Sequence, residues 1–137
     1  MTDGPGHGTI LLVEDEEGVR AVLSELLDGL GYTVLQAGNG VEAIQIASSH
    51  AGVIDLVVTD MVMPEMSGQE LGRSLAKLRP DLRILYMSAF ASRIYSPSAL
   101  ADALADFISK PFNLDDFVVK VRELMAAPPR ANGQAAQ

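Results

Sequence analysis

Five residues with reactive or metal-binding side chains follow short apolar segments of the chain: Glu14, Asp15, Asp60, Ser88 and Lys110. Carboxylate oxygens suit a hard divalent cation, and one or two carboxylates completed by water and phosphate are typical of Mg²⁺. An aspartate carboxylate also acts as a nucleophile towards phosphorus, which gives an acyl phosphate. An ammonium and a hydroxyl can stabilise the charge of a phosphoryl group. These residue types therefore suit metal-assisted phosphoryl transfer.

Five apolar segments alternate with helical patterns, and we interpret the segments as β-strands. They cover residues 9–14, 32–37, 55–60, 82–88 and 107–109. Their nearly continuous apolar character is typical of strands that are buried on both faces of a parallel sheet. Because crossovers between parallel strands are right-handed, the pattern predicts a doubly wound sheet. We expect a flavodoxin-like (βα)5 fold of the α/β class with the strand order 2-1-3-4-5.

Capping signals predict where most of the helices begin. They are Asn39 with Glu42, Ser67 with Glu70, Ser96 with Pro97, and Asn113. An asparagine or serine followed three residues later by glutamate has the spacing of a capping pair. Pro97 suits the first position of a short helix that begins late after the fourth strand. The first helix has its apolar residues between Val19 and Leu30, and we expect it to end at Gly31.

The predicted fold determines where the chemistry lies. In doubly wound sheets, ligands bind beyond the carboxyl ends of the strands, near the switch point between strands 1 and 3. We therefore expect the five residues to share one crevice, where three carboxylates would balance one Mg²⁺ and one lysine. Taken singly, each has an ordinary alternative: Asp15 could cap the first helix, Asp60 could be a loop acid, and Lys110 could be a solvated surface charge.

Composition limits the other classes of function. The chain has 137 residues, a formal net charge of −8 and no cysteine. We predict one domain at residues 9–126, a flexible N-terminus at residues 1–8 and a disordered tail or linker at residues 127–137. The acidic charge argues against direct binding to nucleic acid or membrane surfaces. No long apolar run or secretory signal is visible, so we expect a cytoplasmic location.

The motifs at the strand ends resemble those of bacterial receiver domains, the phosphoacceptor domains of response regulators in two-component signalling. The resemblance extends from about Thr9 to Met125. The matching segments are Val13-Glu14-Asp15, Thr59-Asp60-Met61-Val62-Met63-Pro64 with Ser67-Gly68, Met87-Ser88-Ala89, and Ser109-Lys110-Pro111-Phe112. One such motif is weak evidence, but the four in this order are highly specific.

The resemblance implies a phosphoacceptor and a metal site. Asp60 would accept the phosphoryl group from a phosphohistidine. Asp15 and Asp60 would bind Mg²⁺ (Mn²⁺ could substitute), and Glu14 would act directly or through water. The backbone carbonyl of Val62 would be a further ligand. The partner would be a sensor histidine kinase or a histidine phosphotransfer protein. Self-phosphorylation and autodephosphorylation alone would not make the chain an enzyme in the ordinary sense.

The resemblance also implies a conformational switch. Ser88 and Lys110 would contact the phosphoryl oxygens, and Lys110-Pro111 would be a cis peptide, which is rare unless proline follows. Ser88 and Phe107 would move together on phosphorylation. The signal would leave through the face built from the predicted fourth helix, the fifth strand and the last helix, and this switch is compatible with a phosphorylation-dependent homodimer.

Three features depart from the usual receiver pattern. Glu14 stands where an aspartate is more usual, which lengthens one side chain of the acidic pair. Phe107 lacks the hydroxyl of the commoner tyrosine. Residues 90–96 are atypical for a regular fourth helix and resemble the receiver domains of hybrid sensor kinases.

Three other functions remain to be compared with this interpretation. A receiver-like interaction module that does not use phosphate usually lacks one of the site residues, and all are present here. A phosphatase of the aspartyl-phosphate type would need a second aspartate at position 62, which is Val62. A flavin or dinucleotide binder would need a phosphate-binding loop after the first strand, where the chain is acidic.

Overall fold

The computed structural model describes residues 8–88 and 105–126. Its strands are β1 (Thr9–Val13), β2 (Thr33–Ala37), β3 (Leu56–Asp60), β4 (Arg83–Ser88) and β5 (Ala105–Ser109). Its helices are α1 (Glu17–Gly29), α2 (Gly40–Ser49), α3 (Gly68–Leu78) and, as the last helix, α4 (Leu114–Ala126). The short helix predicted at Ser96 and Pro97 lies outside the described residues, as do residues 1–7 and 127–137.

The five strands form one parallel sheet in the order β2-β1-β3-β4-β5. This confirms the predicted flavodoxin-like strand order. The switch point lies between β1 and β3, where Val13 is the register partner of both Ala37 and Thr59. The carboxyl ends of β1 and β3 therefore lie side by side at one edge of the sheet.

Two apolar layers cover the sheet, one on each face. The layer under α2 and α3 includes Ala43, Ala47, Leu71 and Leu75. The opposite layer, under α1 and α4, includes Leu23, Leu27, Phe117 and Val121. The central strand β3 is buried along its whole length, which explains the apolar run Leu56 to Val58 that precedes Thr59 and Asp60.

Several strands begin or end one or two residues from the predicted positions. β1 ends at Val13 rather than Glu14, although the Glu14 amide still donates to the Ala37 carbonyl at 3.1 Å. β5 begins at Ala105 rather than Phe107. Element ends are set by individual hydrogen bonds that the apolar pattern does not encode.

Side-chain caps begin three of the helices as the sequence indicates. Ser67 and Glu70 form a complete capping box on α3. The Asn39 side chain accepts from the Glu42 amide at 2.8 Å, and the Asn113 side chain accepts from the Asp116 amide at 2.8 Å. Each such cap stabilises its helix by about 1 kcal/mol.

The end of α1 is also as predicted, because Gly31 adopts a left-handed backbone conformation with φ of 101°. Glycine reaches this region without the steric cost that a side chain adds. Among the described residues, no helix is both long and apolar enough to cross a membrane.

Candidate functional site

Glu14 is a fully buried carboxylate at the carboxyl end of β1. Its Oε2 accepts a hydrogen bond from the Glu16 amide at 3.1 Å. Its Oε1 is buried and has no hydrogen-bond partner. A buried carboxylate oxygen without a donor is costly, so this atom requires a cation or a proton.

Asp60 ends β3 next to Glu14 and is 7% exposed. Its Oδ1 accepts from the Lys110 ammonium at 2.8 Å. The same ammonium lies 3.9 Å from Glu14 Oε1. Lys110 follows β5, and its amide donates to the Ser88 carbonyl at 2.9 Å, which ties this loop to the end of β4.

Asp15 completes the acidic cluster from the loop between β1 and α1. Carboxylate oxygens of Glu14, Asp15 and Asp60 lie within 4.8 Å of one another. Asp15 does not cap α1, because the N-cap residue is Glu16 and no side chain caps this helix. The ordinary alternative for Asp15 is therefore wrong, and its carboxylate is exposed beside the two buried ones.

The donor set fits a hard divalent cation. Three carboxylates carry a charge of about −3 when ionised, and Lys110 supplies +1, so a charge of about −2 is left unbalanced. Mg²⁺ would balance it, and an all-oxygen set with one exposed member leaves room for water ligands. Glu14 Oε1, which has a distant ion pair with Lys110 but accepts no hydrogen bond, supports this fit as well.

The surroundings of Glu14 and Lys110 shift the pKa values of both groups upwards. Burial, reinforced by the adjacent Asp60 carboxylate, raises the pKa of Glu14 to about 7. Burial tends to lower the pKa of Lys110, but the hydrogen bond to Asp60 and the nearby carboxylates raise it above the usual lysine value. Lys110 is thus held charged beside the Asp60 oxygen.

Ser88 and Phe107 occupy neighbouring strands. Ser88 ends β4, is 3% exposed and is one residue beyond Met87, the register partner of Asp60. Phe107 is half-buried on β5, and its ring stacks on Tyr86 with centroids 5.4 Å apart. The structure therefore places the predicted switch residues on adjacent strands, with Phe107 two residues before Ser109, the register partner of Ser88.

The loop after Asp60 is braced by α3. The Gly68 amide donates to the Met61 carbonyl at 2.9 Å. A Cβ at Gly68 would collide with the Asp60 carbonyl, so only glycine allows this close approach. Val62 lies on the same loop with its side chain 70% exposed. The Lys110–Pro111 peptide bond is cis.

Two residues that sequence reasoning did not select contact the site or its neighbours. The Arg20 guanidinium donates to the Glu14 carbonyl at 2.8 Å, and Tyr86 stacks on Phe107. Arg20 is the only lysine or arginine before Arg73. This isolation is visible in the sequence and could have drawn attention to Arg20. The apolar pattern of β4 did not indicate that Tyr86 would stack on Phe107.

A model of the response regulator receiver domain matches residues 10–122 of this chain. The chain belongs to the response regulator receiver domain family. The match runs from the second residue of β1 through most of α4 and contains all of the candidate site residues named above.

The curated relatives include proteins of very different lengths. The sensor kinase CckA of Brucella abortus (strain 2308) is 42% identical over 124 residues, which are 90% of this chain but 13% of CckA. The response regulator receiver protein CpdR of the same organism is 36% identical over 118 residues, which are 86% of this chain and 97% of CpdR. Receiver domains like this one thus occur both alone and within much longer kinases.

Solved structures support the same family. The response regulator TrrA of Thermotoga maritima, in complex with Mg²⁺ and BeF, is 34% identical, with a TM-score of 0.73 over 85% of this chain and 98% of that one. A structure of the histidine kinase ThkA in complex with TrrA matches at 34% identity and a TM-score of 0.72, over 87% of this chain and 99% of that one.

Proposed function

We propose that this receiver domain takes a phosphoryl group from a phosphohistidine onto Asp60. The observation that carries the proposal is the convergence of Glu14, Asp15 and Asp60 within 4.8 Å, with Lys110 bonded to Asp60. Asp15, Asp60, the Val62 backbone carbonyl and Glu14, directly or through water, would hold Mg²⁺. Mn²⁺, which also takes oxygen ligands, would substitute for it.

The chemistry needs few groups beyond those in the cluster. An Asp60 carboxylate oxygen attacks phosphorus, the phosphorus–nitrogen bond of the phosphohistidine breaks, and the released imidazole nitrogen keeps the bonding electron pair and takes a proton from solvent. Mg²⁺, when bound, stabilises the negative charge on the phosphoryl oxygens. Phosphoryl transfer depends mostly on positioning and charge stabilisation, which a rigid sheet edge supplies.

Lys110 and Ser88 would receive the new phosphoryl group. Lys110 is held charged beside Asp60 Oδ1, so a short movement of its ammonium would pair it with a phosphoryl oxygen. The Ser88 hydroxyl at the end of β4 would donate a second hydrogen bond. Water then hydrolyses the acyl phosphate at the same site, which releases inorganic phosphate and restores the Asp60 carboxylate, so the group that is modified belongs to the domain itself.

The signal would travel from Ser88 to Phe107 on the next strand. Movement of Ser88 towards the phosphoryl group would let the Phe107 ring reorient, and the Tyr86 ring stacked on it would follow. The face that contains the helix predicted after β4, the strand β5 and the last helix α4 would then change shape and serve as the output surface. In one arrangement, two copies of the domain would pair through this face as a homodimer.

The partner is proposed to be a sensor histidine kinase or a histidine phosphotransfer protein. TrrA, a structural relative, is seen in complex with the histidine kinase ThkA, and the relative CckA is itself a sensor kinase. The net charge of −8 disfavours nucleic acid as a direct partner. A cytoplasmic location would follow from a kinase partner of this kind.

The decisive test is intact-mass spectrometry after incubation with acetyl phosphate or phosphoramidate, with and without Mg²⁺. We expect one phosphate adduct that requires Mg²⁺ and is lost in Asp60→Asn. Asp55→Asn is the matched control, because Asp55 accepts from the Thr9 amide at 2.8 Å at the opposite end of β3. Absence of an adduct, together with no response to Mg²⁺, would instead favour an interaction module that does not use phosphate.

A further inference from the structure

Arg20 is an isolated cation in an acidic stretch of the chain. No other lysine or arginine precedes Arg73. Its side chain is half-buried on α1, and its Nη1 donates to the Glu14 carbonyl at 2.8 Å. Among the described residues, this is the one hydrogen bond that the Arg20 guanidinium makes.

The carbonyl that Arg20 holds belongs to the peptide that joins Glu14 to Asp15. The orientation of this peptide plane sets ψ of Glu14 and φ of Asp15, and hence the directions in which the two carboxylates leave the backbone. Holding the plane with a charged donor therefore restrains two members of the acidic cluster at once.

The hydrogen-bond ladder between β1 and β2 ends at Glu14, the residue whose carbonyl Arg20 binds. The Glu14 amide donates to the Ala37 carbonyl at 3.1 Å, which is the last backbone bond of the ladder. Beyond it, side chains replace the backbone: Arg20 binds the Glu14 carbonyl, and Glu42 Oε1 accepts from the Gly38 amide. The loop that carries the ligands is thus held by side chains rather than by the sheet.

The absence of a side chain at Gly38 leaves space for the Arg20 guanidinium. A Cβ on Gly38 would lie 3.1 Å from Arg20 Nη1 and 3.4 Å from Glu42 Oε1. The guanidinium therefore packs directly against the loop between β2 and α2. A side chain on residue 38 would crowd this position, so glycine leaves room for the guanidinium beside the Glu14 carbonyl.

Arg20 does not act as a counter-charge to the carboxylates. Within the described residues, the ion pairs of Glu14 and Asp60 are made with Lys110 and not with Arg20. The contact between Arg20 and the cluster is made at the backbone carbonyl of Glu14.

We propose that Arg20 is a positioning residue for Mg²⁺ binding, which orients Glu14 and Asp15 through the peptide between them. This inference rests on the proposed function. Three roles for Arg20 predict different changes in Mg²⁺ affinity when it is replaced. A positioning role predicts weaker binding, a competing positive charge predicts tighter binding, and a purely structural role predicts no change.

The test is a Mg²⁺ titration followed by ¹H–¹⁵N NMR on the whole chain, with Arg20→Met, Arg20→Lys and wild type. Arg79→Met is the matched control, because Arg79 is also half-buried and donates to the backbone carbonyls of Ala47, His50 and Gly52 at the other end of the sheet. We expect Arg20→Met to weaken Mg²⁺ binding about five- to tenfold, as the loss of a charge-assisted hydrogen bond implies.

The lysine variant and the metal-free spectra complete the design. Arg20→Lys retains a charged donor and should recover part of the affinity. Without metal, the Asp15 and Glu16 amide shifts should move in Arg20→Met and stay in place in Arg79→Met. If Arg20→Met is too unstable to measure, the lysine variant carries the test, and it must bind Mg²⁺ more weakly than wild type.

The outcomes separate this inference from the proposed function. Unchanged or tighter Mg²⁺ binding in the Arg20 variants, with normal binding in wild type, would overturn the positioning role and leave the receiver function intact. Failure of wild type to bind Mg²⁺ would overturn the proposed function and this inference together. Equal weakening in Arg79→Met would assign the effect to general destabilisation, which also overturns it.

Discussion

Raising the pH in the absence of metal should destabilise this receiver domain through Glu14. Its pKa in the folded protein is raised from 4.5 to about 7, chiefly by burial. The folded state therefore binds a proton more tightly than the unfolded state does. The resulting stability is fully present below about pH 4.5 and is lost as the pH rises through about 7.

The magnitude follows from the size of the shift. At about 1.36 kcal/mol per pKa unit, a rise from 4.5 to about 7 corresponds to a loss of up to about 3 kcal/mol of unfolding free energy. The Glu14 side chain is only 1% exposed, so solvent screens the effect little. Bound Mg²⁺ should restore most of the loss, because it stabilises the ionised carboxylate.

The assay is urea denaturation in EDTA between pH 4.5 and 8.5, on wild type and Glu14→Gln. The glutamine stays neutral and its oxygen can still accept from the Glu16 amide. Wild type should lose up to about 3 kcal/mol more than the variant over this range. Glu17→Gln, which removes an exposed carboxylate on α1, should follow wild type. Parallel losses in wild type and Glu14→Gln would refute the reasoning, as would an absence of Mg²⁺ rescue at pH 8.

Three further substitutions test separate parts of the structure. Gly68→Ala should lower the free energy of unfolding, measured by urea denaturation, by about 1–3 kcal/mol, because the added Cβ would collide with the backbone carbonyl of Asp60. Gly18→Ala, whose Cβ meets nothing within 4 Å, should instead be neutral or stabilising. Lys110→Met should slow adduct formation from acetyl phosphate about 10- to 100-fold through loss of a charged donor, and an unchanged rate would exclude its proposed role. Tyr86→Leu should lower the unfolding free energy by about 1–2 kcal/mol through loss of the stacked ring, while Tyr86→Phe should retain most of it.

Much of the fold could be predicted because strand burial leaves a clear record in the sequence. Residues 56–60 are buried along the whole strand, so this strand begins with the apolar run Leu56 to Val58. The strands β1 and β4 are almost as fully buried, whereas the edge strand β2 is only partly buried. The capping residues Asn39 and Ser67 then mark two helix starts through local hydrogen bonds that need no tertiary information. The strand ends were less predictable, as in β5, because they depend on which partner each amide finds.

The grouping of the acidic residues could also be predicted, since carboxyl ends of parallel strands meet at one edge of the sheet. This principle brought Glu14 and Asp60 together from distant parts of the chain. It did not predict that Glu14 Oε1 would be buried without a donor. Nor did it predict that Lys110 would bond Asp60 at 2.8 Å and lie farther, at 3.9 Å, from Glu14.

The sequence by itself determined the class of fold, the order of its elements and the set of residues that could carry the chemistry. These follow from apolar periodicity, local caps and residue type, which are properties of the chain read in order. Only the tertiary structure decided the protonation preference of Glu14, the brace from Arg20 to the Glu14 carbonyl and the stacking of Tyr86 on Phe107. Each of these depends on burial or on distances between separate elements, and neither quantity exists until the sheet and its helices have packed.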